Sequence, residues 1–174
     1  MPFTVFQTSF GACAIAWEGG LVSRFHLPEG TAEKTKARVA SRGAIAVGEE
    51  VAPEWVRRVI ERVRRHLDGD LHDFSDVPLD WPRVTAFQRA VYEQTRAIKP
   101  GFTREYGEIA GALAPGSGSA RAVGAALGAN PWPLLVPCHR VVSAGDRMTG
   151  FSGPGGVRTK TRLLALEGAE LLSE

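Results

Sequence analysis

Between Pro53 and Leu67 the chain places Trp55, Val56, Val59, Ile60, Val63 and Leu67 at helical spacing, with Glu54, Glu61 and five arginines between them. An apolar stripe of this kind needs a second layer to cover it. The residues before it supply one. Phe3-Thr4-Val5-Phe6 and Ala12 to Trp17 read as strands, and Gly19-Gly20 makes a hairpin turn into a third, Leu21 to Leu27. A polar helix over Thr31 to Arg42 and a short strand at Ala44 to Val47 complete an α/β unit. The arginines between the apolar positions read as a solvated helix face.

The stretch from Leu71 to Arg83 is rich in Asp and Pro and carries little periodicity, so it reads as a linker. The expected division is an N-terminal domain over 1–75, a linker over 76–84 and a C-terminal domain over 85–174. The second half is helical. Thr85-Ala86-Phe87-Gln88 is a capping-box pattern, and its helix runs to about Ile98, where Pro100-Gly101 stops it. Thr103 is expected to cap a helix from Arg104 to Leu113, and Ser119 a second over Ala120 to Leu127. Two short helices around the turn Ala114-Pro115-Gly116-Ser117-Gly118 make a helix-turn-helix candidate. A last helix is expected over Val157 to Leu172, with Leu163, Leu164, Leu166 and Leu171 available to the core.

The chain of 174 residues is 44% hydrophobic and 23% charged, a globular balance that argues against disorder. No apolar run reaches the roughly 20 residues of a membrane span, and the first residues carry no basic n-region of a signal peptide. The cysteines, Cys13 and Cys138, lie far apart, and a reduced, cytoplasmic protein is expected. No Cys/His cluster has zinc spacing. The net charge of +2 says little, but no Asp or Glu falls between Glu108 and Asp146, while Arg121 and Arg140 do. A surface without carboxylates does not repel phosphate.

Chemistry concentrates at Pro137-Cys138-His139-Arg140-Val141-Val142. The nucleophile of a cysteine is its thiolate, and a neighbouring imidazole or cation favours it. Consecutive side chains in an extended segment point apart, so Cys138 and His139 are expected to communicate through one bridging water. A histidine base also needs an orienting acceptor, for which Glu167 is the candidate. Arg121, near the start of the second short helix, stands among the small residues Ala120, Ala122, Val123 and Gly124. Such a helix can approach another surface closely while one long cation projects.

The series Ala120-Arg121-Ala122-Val123-Gly124, Asn130-Pro131 and Pro137-Cys138-His139-Arg140-Val141 resembles the O6-alkylguanine-DNA alkyltransferases, also called methylated-DNA–protein-cysteine methyltransferases. The likeness extends from about Phe87 to Gly168 and includes Tyr106-Gly-Glu-Ile-Ala and Leu163-Leu164-Ala165-Leu166-Glu167-Gly168. It implies an α/β, ribonuclease-H-like N-terminal domain and a mostly helical, winged-helix-like (helix-turn-helix) C-terminal domain. It also implies DNA repair by irreversible, single-turnover transfer of an alkyl group from O6 of guanine, with O4-alkylthymine a further candidate substrate. By this resemblance Cys138 accepts the group, His139 generates the thiolate through a water, Glu167 orients the imidazole and Tyr106 hydrogen-bonds the guanine edge. Ser119, Ala120, Arg121 and Ala122 would meet the DNA minor groove, with Arg121 filling the place of the flipped base. Asn130 would tie that helix to the active segment. The carbonyls of Cys138 and Val141 and the backbone of Ser152 would contact the base, beside a wall made by Phe151. The run Phe151-Ser152-Gly153-Pro154-Gly155-Gly156 departs from the family's usual Tyr-Ser-Gly-Gly by a phenolic hydroxyl. No cofactor and no metal are implied. The expected partner is double-stranded DNA carrying an alkylated base, met by a monomer and without a membrane. Two rival readings are a non-enzymatic protein that only binds damaged DNA and a multiple-turnover Cys-His hydrolase. Cys138 opposes the first, and the second has no triad or oxyanion signature to support it.

Overall fold

The computed structural model describes residues 1–145 and 155–169. The chain forms two compact units, one of residues 1–72 and 76–80, the other of residues 73–75 and 81 onward. Among the described residues no helix is long and apolar enough to cross a membrane.

The first unit is built on β1 (Pro2–Thr8), β2 (Gly11–Glu18), β3 (Leu21–His26) and β4 (Ile45–Ala46), in the order β3-β2-β1-β4. β1 and β2 pair antiparallel, as do β2 and β3, and β4 joins β1 in parallel. Helix α1 (Ala32–Ala40) begins at Thr31, whose hydroxyl accepts the N–H of Lys34. Helix α2 (Glu54–Leu67) follows Pro53 and buries Val56, Val59, Ile60, Val63 and Leu67. Strand alternation places the two helices. Phe3, Ala14 and Ala16 cluster with Val39 of α1, whereas Phe6, out of phase with Phe3, lies under the guanidinium of Arg64 of α2, 5.6 Å from its ring centre. The central strand β2 is therefore buried along almost its whole length.

The segment expected as a linker contributes to both units. Val22 donates to the Pro78 carbonyl at 2.8 Å and accepts from the Asp80 N–H at 3.0 Å, so residues 78–80 line the free edge of β3. The apolar side chains of Val77 and Leu79 are buried. In the second unit, Arg96 donates to the Phe74 carbonyl at 2.6 Å and Lys99 pairs with Asp73.

The second unit contains α3 (Ala86–Arg96), β5 (Arg104–Glu105), α4 (Tyr106–Ala112), α5 (Ala120–Gly128), β6 (Val141–Val142) and α6 (Val157–Leu166). Thr85 and Gln88 form the expected capping box on α3, and Ser119 caps α5 by accepting the N–H of Ala122 at 3.2 Å. Helices α3, α4 and α5 pack on one another. The Tyr92 hydroxyl of α3 donates to the Ala126 carbonyl of α5 at 2.6 Å, and Trp132, fully buried, meets Tyr92 edge-on at 6.2 Å.

Two expectations change here. The helix expected from Arg104 starts at Tyr106, because Arg104 and Glu105 pair in parallel with Val141 and Val142. Its first turn is closed by Glu108, which accepts the Glu105 N–H at 3.0 Å, and Thr103 is not its cap. The helix expected over Val157 to Leu172 ends at Leu166, with Glu167 as its C-cap and Gly168 in the left-handed region at φ 75°. The Ala169 N–H bonds the Leu164 carbonyl and the Gly168 N–H that of Ala165, the paired contacts of a Schellman stop. Leu171 lies outside the described residues.

Candidate active site

The chain reaches Cys138 through a tight, fully specified path. The Asn130 amide donates to the Val136 carbonyl and accepts the Trp132 N–H, both at 2.9 Å. Within that loop Leu134 adopts φ 76°, a left-handed conformation unusual for a side chain of its size, and is buried. Pro137 sits at φ −78°, ψ 65°, and Cys138 N–H returns to the Val136 carbonyl at 2.7 Å. These are the angles and the bond of an inverse γ-turn, for which a proline ring presets φ. The next residues, Cys138–Arg140, form one 3₁₀ turn. Consecutive side chains in such a turn fan around an axis rather than alternating across a strand.

That fan brings His139 and Arg140 to one carboxylate. His139 Nε2 lies 2.8 Å from Glu167 Oε1. Arg140 donates from Nε to Oε1 at 2.9 Å and from Nη2 to Oε2 at 2.7 Å, and its Nη1 donates to the Ile98 carbonyl at 2.7 Å. The side chains of His139 and Glu167 are completely buried and Arg140 nearly so. A guanidinium keeps its proton under all ordinary conditions, so this fork holds Glu167 as a carboxylate. Facing a carboxylate, Nε2 is the nitrogen suited to donate, and in a neutral ring that leaves Nδ1 as the acceptor. Gly101 packs against the backbone of Glu167. It has φ 91°, and a Cβ there would stand 3.1 Å from the Glu167 carbonyl oxygen.

Cys138 is buried, with 8% of its surface exposed. Burial pushes its thiol above the ordinary range, while a hydrogen bond from the Asn130 side chain, the charge of Lys160 and backbone N–H groups pull it back. Left to desolvation alone, this sulfur would keep its proton, so its use as a nucleophile requires a base and nearby positive charge.

The positive charge comes from Lys160. It is 1% exposed, and its Nζ donates to the Val141 carbonyl at 2.7 Å. The same Nζ stands 5.8 Å from the centre of the Tyr106 ring. Burial pulls this ammonium down to about 8, and attraction to Cys138 opposes the fall. The parallel pairing of β5 with β6 seats Tyr106, first residue of α4, beside the end of the Cys138 turn. Among the described residues no group of three or more His, Cys, Asp or Glu could hold a metal ion.

Helix α5 presents Ser119, Ala120 and Arg121 to solvent and turns Val123, Ala126 and Leu127 inward, with Ala122 between. Gly124 marks where α5 passes α4: a Cβ there would meet the Tyr106 ring at 3.8 Å, an ordinary van der Waals contact.

Comparisons with known proteins decide the lineage of this site. Residues 86–169 match the family described as 6-O-methylguanine DNA methyltransferase, DNA binding domain. A methylated-DNA–protein-cysteine methyltransferase of Mycobacterium bovis is 34% identical over 166 residues, covering 95% of this chain and 91% of that protein. The chain belongs to the methylated-DNA–protein-cysteine methyltransferase family. A member from Methanothermobacter thermautotrophicus is 38% identical over 119 residues, 68% of this chain and 65% of its own length. The Mycobacterium tuberculosis OGT solved in complex with DNA superposes with a TM-score of 0.75 at 32% identity, covering 97% of this chain and 93% of that one. A Thermus thermophilus protein named DNA base-flipping protein is 41% identical over 122 residues, 70% of this chain and 80% of that protein.

Of the residues expected from sequence, Asn130 and Cys138 adjoin one another, Val141 receives the Lys160 ammonium, His139 on the same turn as Cys138 pairs with Glu167, and the Tyr106 ring faces Lys160. Arg121, Ala120 and Ser119 stand on the exposed face of α5. Phe151 and Ser152 lie outside the described residues. Sequence reasoning missed two members of the site, Arg140 and Lys160. The signal for Lys160 was present, because Lys160, Leu163, Leu164 and Glu167 follow the i, i+3, i+4, i+7 pattern of one helix face.

Proposed function

We propose that this chain is a single-use DNA repair protein that moves an alkyl group from O6 of guanine in double-stranded DNA onto Cys138. The observation that carries this reading is the buried thiol joined, within one 3₁₀ turn, to an imidazole whose Nε2 is held by an anionic Glu167. The fold that serves it is a ribonuclease-H-like first unit and a winged-helix-like second unit, acting as a monomer in a reducing cytoplasm. No cofactor takes part.

The reaction begins with the base outside the stack, at a cost of roughly a few kcal/mol. Helix α5 approaches the minor groove through its small residues, and Arg121 fills the gap left by the flipped nucleotide. Nδ1 of His139 accepts a proton from a water that in turn takes the Cys138 proton. The thiolate attacks the alkyl carbon, a sulfur–carbon bond forms, and the carbon–O6 bond breaks. Tyr106 donates to the guanine edge, so the base leaves with its new charge partly neutralised. The carbonyls of Cys138 and Val141 receive the exocyclic amine, and O4-alkylthymine enters the same site more poorly because it lacks that amine. The product is a thioether, which no step of this scheme reverses.

Mass spectrometry of the Cys138 peptide after incubation with O6-methylguanine duplex DNA tests the proposal. One methyl group on Cys138, in no more than one equivalent, is the expected result. An unmodified peptide beside intact, tightly bound lesion DNA would establish a damage-binding protein instead, the reading favoured by the Thermus relative's name. Sustained ester turnover would establish a hydrolase.

A further inference from the structure

We propose that Lys160 is a positioning residue for alkyl transfer, its buried ammonium holding the Cys138 sulfur as the thiolate. The inference rests on the alkyl-transfer reading above and names the charge that reading requires.

The placement comes first. Lys160 lies on the inward face of α6, 1% exposed, among Leu163 and Leu164. Lysine is almost never fully buried unless partners offset the hydration its ammonium loses. Lys160 has the Val141 carbonyl at 2.7 Å, three residues beyond the nucleophile on the same short segment. That bond anchors the ammonium to the segment that carries the thiol.

Among the described residues, the charged and titratable groups on the neighbouring elements have partners of their own. Arg140, on the same turn, is forked onto Glu167, and His139 shares that carboxylate. From α3, Tyr92 donates its hydroxyl to the Ala126 carbonyl. From α4, Tyr106 turns its ring toward Lys160 itself. Arg140 and Glu167 cancel one another, so the pair lends the sulfur little net charge. Among the described residues, Lys160 is a cation that favours the Cys138 thiolate, and Cys138 in turn favours the Lys160 ammonium. Each pulls the other toward its charged form.

In the transfer step Lys160 makes and breaks no bond. The proton leaves sulfur for the water and His139, and the electron pair of the thiolate forms the new bond to carbon. Once the thioether exists, Cys138 can carry no negative charge, and Lys160 has lost a group that favoured its protonated form.

The test uses the full-length protein with iodoacetamide as a small probe of thiolate, its rate followed across pH for the wild type, Lys160→Met and Lys160→Arg. The midpoint in Lys160→Met is expected to rise by about one pH unit or more, equal to about tenfold less thiolate at neutral pH. Lys160→Arg is expected to restore most of the shift. A midpoint unchanged in Lys160→Met, with only melting temperature or maximal rate reduced, would overturn the inference. A second measurement needs no variant. The Lys160 ammonium is followed by NMR across pH before and after Cys138 is methylated with methyl iodide, and its midpoint is expected to fall on methylation. A midpoint that stays put overturns the inference whether or not Lys160→Met folds. The functional reading fails separately. Lys160-dependent iodoacetamide reactivity without methyl transfer from DNA would sink the repair reading alone, and methyl transfer with a Lys160-independent midpoint would sink this one alone.

Discussion

Each of the two units buries one cysteine, and the two have opposite prospects. Cys13 lies on β2, fully buried, opposite Phe6 of β1. Burial pushes its thiol to about 12, against weak opposition from the Thr8 hydroxyl and the charge of Arg64. Cys138 is also buried, and its thiol is also raised by desolvation. Around it, however, stand an amide donor, a buried ammonium and an imidazole backed by a carboxylate. Burial alone makes a sulfur inert. What converts the same burial into a reactive site is a destination for the proton and a cation for the charge left behind.

The largest expected effect tests that contrast outright. Cys138→Ala should abolish methyl transfer, while Cys13→Ala should transfer one equivalent at the wild-type rate and lose about 1 kcal/mol of stability. A Cys13 variant that no longer accepts methyl groups, measured by peptide mass, would break the comparison. Removing the proton's destination comes next. His139→Gln should slow transfer by about 10²- to 10⁴-fold in single-turnover kinetics, with DNA binding unchanged. A loss smaller than tenfold would mean that Cys138 gives its proton elsewhere.

Arg140→Met sharpens the account of the carboxylate. It takes the guanidinium away from the buried Glu167 carboxylate, and breaking such a pair costs about 3–5 kcal/mol, read as a lower denaturant midpoint. Equal stability would show that Glu167 is neutral in the folded protein. The smallest effect is expected in the first unit and depends on pH. Burial, with Arg24, Arg38 and Arg42 nearby, holds His26 down at about 4, below its ordinary 6.5. The unfolded chain therefore binds a proton in that window when the folded chain does not. The contribution is complete above pH 6.5 and is lost as pH falls toward 4. His26→Gln should flatten the acid limb of a stability–pH curve between those values, and an unchanged slope would remove His26 from the account.

Local signals carried much of this molecule into the sequence. Thr85 with Gln88 and Ser119 before Ala120 announced two helices, because a cap is a contact within one turn. Cys138 beside His139 announced the chemistry. The features that stayed hidden depend on distant partners. The pairing of Arg104–Glu105 with Val141–Val142 is too short to show alternation, and it displaced the expected start of α4. Arg140 looked like a neighbour of the site until the 3₁₀ turn carried it to the same carboxylate as His139. Reading α6 as a leucine face hid Lys160, which shares that face. In each case the competing pull was tertiary, and the residue's type alone gave no direction.

The 8% exposure of Cys138 has one more consequence. Under the proposed alkyl transfer, an acceptor consumed by its own reaction has a single chance, and every oxidant or stray electrophile that reached the sulfur first would waste a whole protein molecule. A sulfur sunk below the surface, charged only with help from its walls, is reached by a group delivered into the site and seldom by one that drifts past. The same depth that makes the thiol reluctant therefore acts as its shelf life, keeping the molecule usable until a lesion arrives.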